Sequence, residues 1–246
     1  MDTLVVNNLS MKKLFFIFFS LYCLQAIAVK PKYQYVKIAT DRGMVIIRLY
    51  NETPLHRDNF IKVAKQGLYN GTLFHRVIKE FMIQGGDLDS KNAHPDSTLG
   101  NGGLKYTVPA EFNDNLFHKK GVLAAAREGD SSNPTKASSS TQFYIVQGKI
   151  WNDSTLNVTE ENRLKFKIPE WQRQVYKTIG GSPHLDRNYT VYGEVVKGLE
   201  MVDAIANEPT GKANRPKADI KMTVTMLKKR EVRKLEKEIQ KLKVKS

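Results

Sequence analysis

From residue 33 onward the chain alternates apolar and polar positions with the two-residue period of strands buried on one face. Residues 33 to 39 follow it, and residues 44 to 49 put Val45, Ile47 and Leu49 on one side. Asp41-Arg42-Gly43 between them reads as a hairpin turn. Six further β-like runs follow, at residues 73–78, 81–84, 121–126, 141–146, 190–196 and 220–227. Two segments carry the helical period instead. Thr53-Pro54 opens the first, with Thr as N-cap and Pro at the first helical position; Phe60, Val63 and Ala64 make its apolar stripe and Gly67 ends it. Met201, Val202 and Ile205 mark the second. Many short strands with few helices predict a barrel or sandwich, each helix closing one end.

Two pieces stand outside this pattern. Residues 151–183 interrupt it as a helical insertion: Asn157 with Glu160 resembles a capping box, and Pro169 opens a segment with Trp171, Val175 and Ile179 on one face before Gly180-Gly181. Residues 228–246 form a basic helical tail whose Val232, Leu235, Ile239 and Leu242 are spaced like a short coiled-coil seam. At the other end, Lys12 and Lys13 precede an apolar run over residues 14–24 and then Ala26-Ile27-Ala28, which predicts a signal peptide over residues 1–28, with Met11 an alternative start. An uncleaved membrane anchor and a lipid anchor at Cys23 are the alternatives, the second weakened by Tyr22 where a small residue is wanted.

Composition narrows the class. With 246 residues, 41% hydrophobic, and one cysteine, the chain is neither disordered nor a disulfide scaffold. Its net charge of +14 is attractive to nucleic acid, anionic lipid or acidic partners alike. Nine Lys or Arg against three Glu in residues 228–246 concentrate much of that excess in the tail. The expectation is therefore contact with an anionic surface or acidic client through the tail, and no nucleic-acid partner.

Metal and nucleophile signatures such as HExxH, CxxC and GxSxG are missing, and the five histidines lack ligand spacing, so no metal or cofactor is expected. The informative run is LFHRVIKEFMIQGGD, residues 73–87. Arg76 lies in an otherwise apolar strand there. Such an arginine is costly unless it is tied to a carboxylate of the fold or faces a ligand groove, and both readings stand at this point. Strand alternation sends the neighbouring His75 to the opposite face.

That run is similar to the signature of the cyclophilin peptidyl-prolyl isomerases. The resemblance spans residues 33 to 227 apart from the insertion, with Asn59-Phe60, Gly121 to Ala126, Thr141-Gln142-Phe143-Tyr144-Ile145 and Val191-Tyr192-Gly193-Glu194-Val195 in the family's order. It implies a mainly β domain over residues 29–227, a closed eight-stranded antiparallel barrel capped by two helices. It also implies catalysis of rotation about X-Pro bonds, with proline-containing unfolded or flexible polypeptides as partners. Carried over by position, Arg76 is the catalytic arginine; Phe81, Met82, Phe143 and Leu185 line the proline pocket. Gln84 and Gln142 contact the substrate backbone, and Ala126 with the backbone of Arg127 forms the groove for the residue before proline. Tyr189 replaces the His of many members, and His184 replaces the Trp of cyclosporin-sensitive ones, so cyclosporin binding is expected to be weak.

The export signal adds a compartment. N-x-S/T sites at Asn70 and Asn188 flank the inferred active face, where glycans would obstruct it, which favours a bacterial periplasm over a eukaryotic secretory route. The isomerase is then expected to serve exported proteins as they fold. A competing reading makes the chain a periplasmic holding chaperone that uses the insertion and tail.

Overall fold

The computed structural model describes residues 33–245; the signal-peptide expectation lies outside them. Strand β1 (Gln34–Thr40) turns at Asp41-Arg42 into β2 (Gly43–Leu49), and Gly43 adopts φ +119°, a conformation that favours glycine. The other long-range strands are β3 (Arg76–Ile78), β4 (Met82–Gly85), β6 (Val122–Ala125), β8 (Phe143–Val146), β9 (Val191–Lys197) and β10 (Thr223–Met226). They form one antiparallel sheet of eight strands in the order β10-β1-β2-β9-β6-β8-β4-β3, while β5 (Thr107–Val108) and β7 (Ser138–Ser139) pair separately.

The sheet is a half-barrel, which corrects the expectation of a closed one. Its edge strands β10 and β3 share no ladder. Only one bridge, Leu73 with Lys221, and backbone hydrogen bonds such as Phe74 N–H to Ile220 C=O (3.0 Å) and Met222 N–H to Thr72 C=O (2.9 Å) cross the seam. The residues before β3 form no ladder with β10, and Leu73 N–H, which points away from the seam, donates to Ser90 Oγ at 3.0 Å.

Helices α1 (Pro54–Lys65) and α4 (Leu199–Ala206) pack Phe60, Val63, Met201, Val202 and Ile205 into the main core with Val36, Ile47, Ile83 and Phe143. Thr53 does not cap α1 through its side chain; the carboxylate of Glu111 accepts from the N–H groups of Leu55 (3.0 Å) and His56 (2.9 Å) instead. Gly67 ends the helix as expected, at φ +68°, with Leu68 N–H returning to Val63 C=O.

The insertion is helical but registers differently from the expectation. Helix α2 (Asp153–Thr159) begins with a capping box of Asn152 and Thr155, continues through a wider turn at Glu160–Leu164, and is followed by α3 (Glu170–Thr178). The buried face of α3 is Gln172, Arg173 and Tyr176, whereas Trp171 and Ile179 are each 51% exposed. Polar residues win that face because each finds a partner: Arg173 meets Glu160 and Asp153 at 2.7 Å, Gln172 donates to Asp114 C=O, and Tyr176 donates to Asp186.

Helix α5 (Lys229–Lys245) lays Val232 and Leu235, both buried, against Tyr35 of β1, with Ile239 partly covered. The expected seam is thus an intramolecular contact with the sheet, and Leu242 falls beyond it at 68% exposure. Replacing Leu235 by Ala should cost about 2 kcal/mol in urea unfolding. An unchanged midpoint would mean that the helix contributes nothing by docking.

Candidate active site

Pleating and register build the site. Arg76 stands opposite Gln84, Gln84 opposite Tyr144, and Tyr144 opposite Ala124 across β3, β4, β8 and β6. Residues at this parity, with Met82, Val122 and Val146, share one face of the sheet; Val77, Ile83, Phe143, Ile145 and Leu123 share the other and enter the main core. On the first face a cavity of about 210 Å³ is lined by Arg76, Phe81, Met82, Gln84, Ala126, Arg127, Tyr144, Leu185 and Tyr189.

Two sequence-predicted site residues lie elsewhere. Phe143 is fully buried in the core, edge-on to Phe60 at 5.5 Å and Tyr69 at 5.6 Å, and Tyr144 takes the pocket position. Adjacent strand residues face opposite ways, so only one of the pair can line the cavity. The rule that turned His75 away from Arg76 applied here too. Gln142 is buried behind the pocket: its amide donates to the carbonyls of Gly100 (2.8 Å) and Gly102 (2.9 Å), and its Oε1 accepts from Gln84 Nε2 at 3.3 Å.

Arg76 is half-buried, and its single hydrogen bond runs from Nη1 to Gln84 Oε1 at 3.1 Å. Among the described residues no carboxylate lies within 4.0 Å of it. Burial pulls its pKa below the usual arginine value, with the nearby Tyr189 acting in the opposite direction. The reading in which this arginine serves a structural ion pair is therefore removed. Other arginines of the fold do have such partners: Arg48 is bound to Glu194, and Arg173 to Glu160 and Asp153.

The walls are held from outside. Arg127 lies over the Tyr189 ring at 4.5 Å, donates from Nε to Asn188 C=O at 2.8 Å and pairs with Asp130 at 2.6 Å. The Phe81 ring sits 5.3 Å from that of His184. Beneath the pocket, the Asp186 carboxylate can only accept, so His118 Nδ1–H donates to it (2.8 Å) and Nε2 accepts from the Tyr144 hydroxyl (2.9 Å). Tyr176 of the insertion donates to the other Asp186 oxygen at 2.6 Å. His118, Asp186 and Tyr176 had no sequence signal beyond being polar, since their roles depend on contacts between distant segments.

His75 does not line this cavity. Its ring is buried and makes no hydrogen bond of good geometry, and burial lowers its pKa to about 4. His184, desolvated and near Arg163, is likewise lowered to about 4.

Comparison with known proteins agrees with this geometry. The family described as cyclophilin type peptidyl-prolyl cis-trans isomerase/CLD matches residues 35–226. A Staphylococcus haemolyticus protein named "Putative peptidyl-prolyl cis-trans isomerase" is 32% identical over 188 residues, covering 75% of this chain and 87% of its own. A Streptococcus pyogenes "Putative bifunctional phosphatase/peptidyl-prolyl cis-trans isomerase" is 34% identical over 188 residues, of which this chain spans 37% of the longer protein. In fold, the chain resembles a Cryptosporidium parvum cyclophilin type isomerase with a TM-score of 0.59 at 22% identity, over 80% of this chain and 99% of that one. The same protein crystallised in the presence of the dipeptide Ala-Pro gives 0.58 at 23% identity. A family match over most of the described residues, joined to an arginine lining one cavity with Phe81, Met82 and Leu185, places the chain in the cyclophilin-type peptidyl-prolyl cis-trans isomerase family.

Proposed function

We propose that this isomerase binds proline-containing, unfolded or flexible segments of exported polypeptides and speeds rotation of their X-Pro bonds during folding. The basic, apolar and small-x-small pattern of residues 12–28 supports the exported setting, with a bacterial periplasm as the compartment. The observation that carries the substrate and mechanism is Arg76, held without an anion in the pocket it lines with Phe81, Met82, Tyr144 and Leu185.

The X-Pro barrier of about 18–20 kcal/mol arises from partial double-bond character in the C–N bond. At the twisted state this resonance is lost and the prolyl nitrogen gains a usable lone pair. A donor aimed at that lone pair helps the transition state and not the planar ground states, which is the condition for acceleration. Arg76 spends one N–H on Gln84 and keeps the rest of its planar fork for this purpose. The apolar walls grip the ring, while Gln84 and the backbone beyond Ala126 fix the segment before it. Gln142 acts at one remove, holding Gln84 and the loop at Gly100 and Gly102.

Replacing Arg76 by Ala should lower kcat/KM on a prolyl peptide by about a hundredfold. An unchanged rate in a protease-coupled assay would contradict the proposal. No titrating group takes part, and His75 and His184 are neutral well below neutrality, so kcat/KM should be flat from about pH 6 to 9. A step near pH 6.5 in the pH-rate profile would contradict this. Stability behaves differently. Because the folded-state value of His75 lies below the unfolded one, its contribution is complete above about pH 6.5 and is lost as pH falls toward 4.

A further inference from the structure

A second cavity, of about 450 Å³, adjoins the proline pocket and shares Phe81 with it. One wall is the core fold, through Lys79, Glu80, Phe81, Lys149 and His184. The other is the insertion, through Trp151, Thr159 and Arg163. The insertion therefore encloses a site that the half-barrel alone leaves open.

Its charges are unbalanced. Lys79, Lys149 and Arg163 are exposed and, among the described residues, none has a carboxylate within 4.0 Å; Lys149 Nζ instead sits 5.0 Å from the centre of the Trp151 ring. Glu80 is the one acidic residue lining the cavity. Elsewhere the same part of the chain neutralises its cations closely: Arg173 and Lys177 on Asp153, Lys167 on Glu160, and Arg187 on Asp114. Three cations without a carboxylate partner thus meet in the cavity beside the active site, whereas Lys165 of the insertion, also without one, donates to Glu161 C=O. The cluster is also dense enough to act on a neighbour, since Arg163 and Lys149 both help lower the pKa of His184.

We propose that this cavity is a specificity subsite for the carboxylate of an Asp or Glu lying within two residues of the substrate proline. The inference rests on the isomerase reading above and adds a substrate preference to it. A segment with its proline against Phe81 passes the rim formed by Phe81 and His184, and an acidic side chain there reaches Lys79, Lys149 and Arg163. Opposite charge in a partly enclosed site is attractive, and a lysine at the same place is repelled.

The test uses the protein beginning at residue 29, with its insertion and tail, and protease-free exchange NMR on prolyl peptides carrying Ala, Glu or Lys at one and two residues on each side of the proline. At one or more of these positions Glu should raise kcat/KM by about three- to tenfold over Ala, and Lys should lower it, with the difference largely gone at 0.5 M salt. In the double variant Arg163→Glu, Lys79→Glu, the preference should vanish or reverse while the Ala peptide keeps its rate. Equal rates for Ala, Glu and Lys at all four positions overturn the subsite, as does a Glu preference that survives in the double variant. Failure of the isomerase reading looks different: no peptide, the Ala reference included, would exchange faster than in buffer.

Discussion

The site is organised around an arginine that is half-buried and has no anion. Desolvation works against the charge of Arg76, and one hydrogen bond donated to the neutral Gln84 side-chain oxygen is the side chain's only hydrogen bond among the described residues. A fold retains such a group at a cost, and the surroundings show how it is tolerated. Gln84 is itself held by Gln142, which is anchored on two loop carbonyls, so the guanidinium is positioned without being neutralised. A carboxylate in Gln84's place would stabilise the charge and take up the donors a twisted prolyl nitrogen needs.

Everything else in the site follows from which face of the sheet Arg76 is on. Four adjacent strands in fixed register put Arg76, Gln84, Tyr144 and Ala124 in one row, and the same register sends Phe143 and Ile83 into the core. The insertion joins this arrangement rather than hanging from it: Tyr176, Asp186 and His118 form a buried chain of hydrogen bonds that ends on the Tyr144 hydroxyl. A pocket wall and the insertion are thus held by one network.

Much of this was legible in the sequence because local periodicity and turn chemistry agree with the fold. The β1–β2 hairpin, both core helices, Arg76 and its pocket neighbours Phe81, Met82, Ala126, Leu185 and Tyr189 all stand where pattern and resemblance put them. Where pattern and structure differ, either strand alternation or a partner from elsewhere in the chain decides the outcome. Alternation admits only one of Phe143 and Tyr144 to the pocket, and the register gives that place to Tyr144. The inner face of α3 is polar because Glu160, Asp114 and Asp186 come from elsewhere to satisfy it. Thr53 lost its capping role to a glutamate 58 residues away in the chain. The barrel stays open because β3 and β10 share no ladder, only the Leu73–Lys221 bridge and a few backbone hydrogen bonds.

The central claim is that a planar, uncompensated guanidinium, and not positive charge alone, lowers the barrier. Exchange NMR of an Ala-Pro peptide with Arg76→Lys tests it most directly, since lysine keeps the charge and loses the fork. The account predicts that the cis–trans exchange rate of enzyme-bound peptide falls by at least about tenfold while peptide affinity changes little. Full exchange with lysine at that position would contradict it.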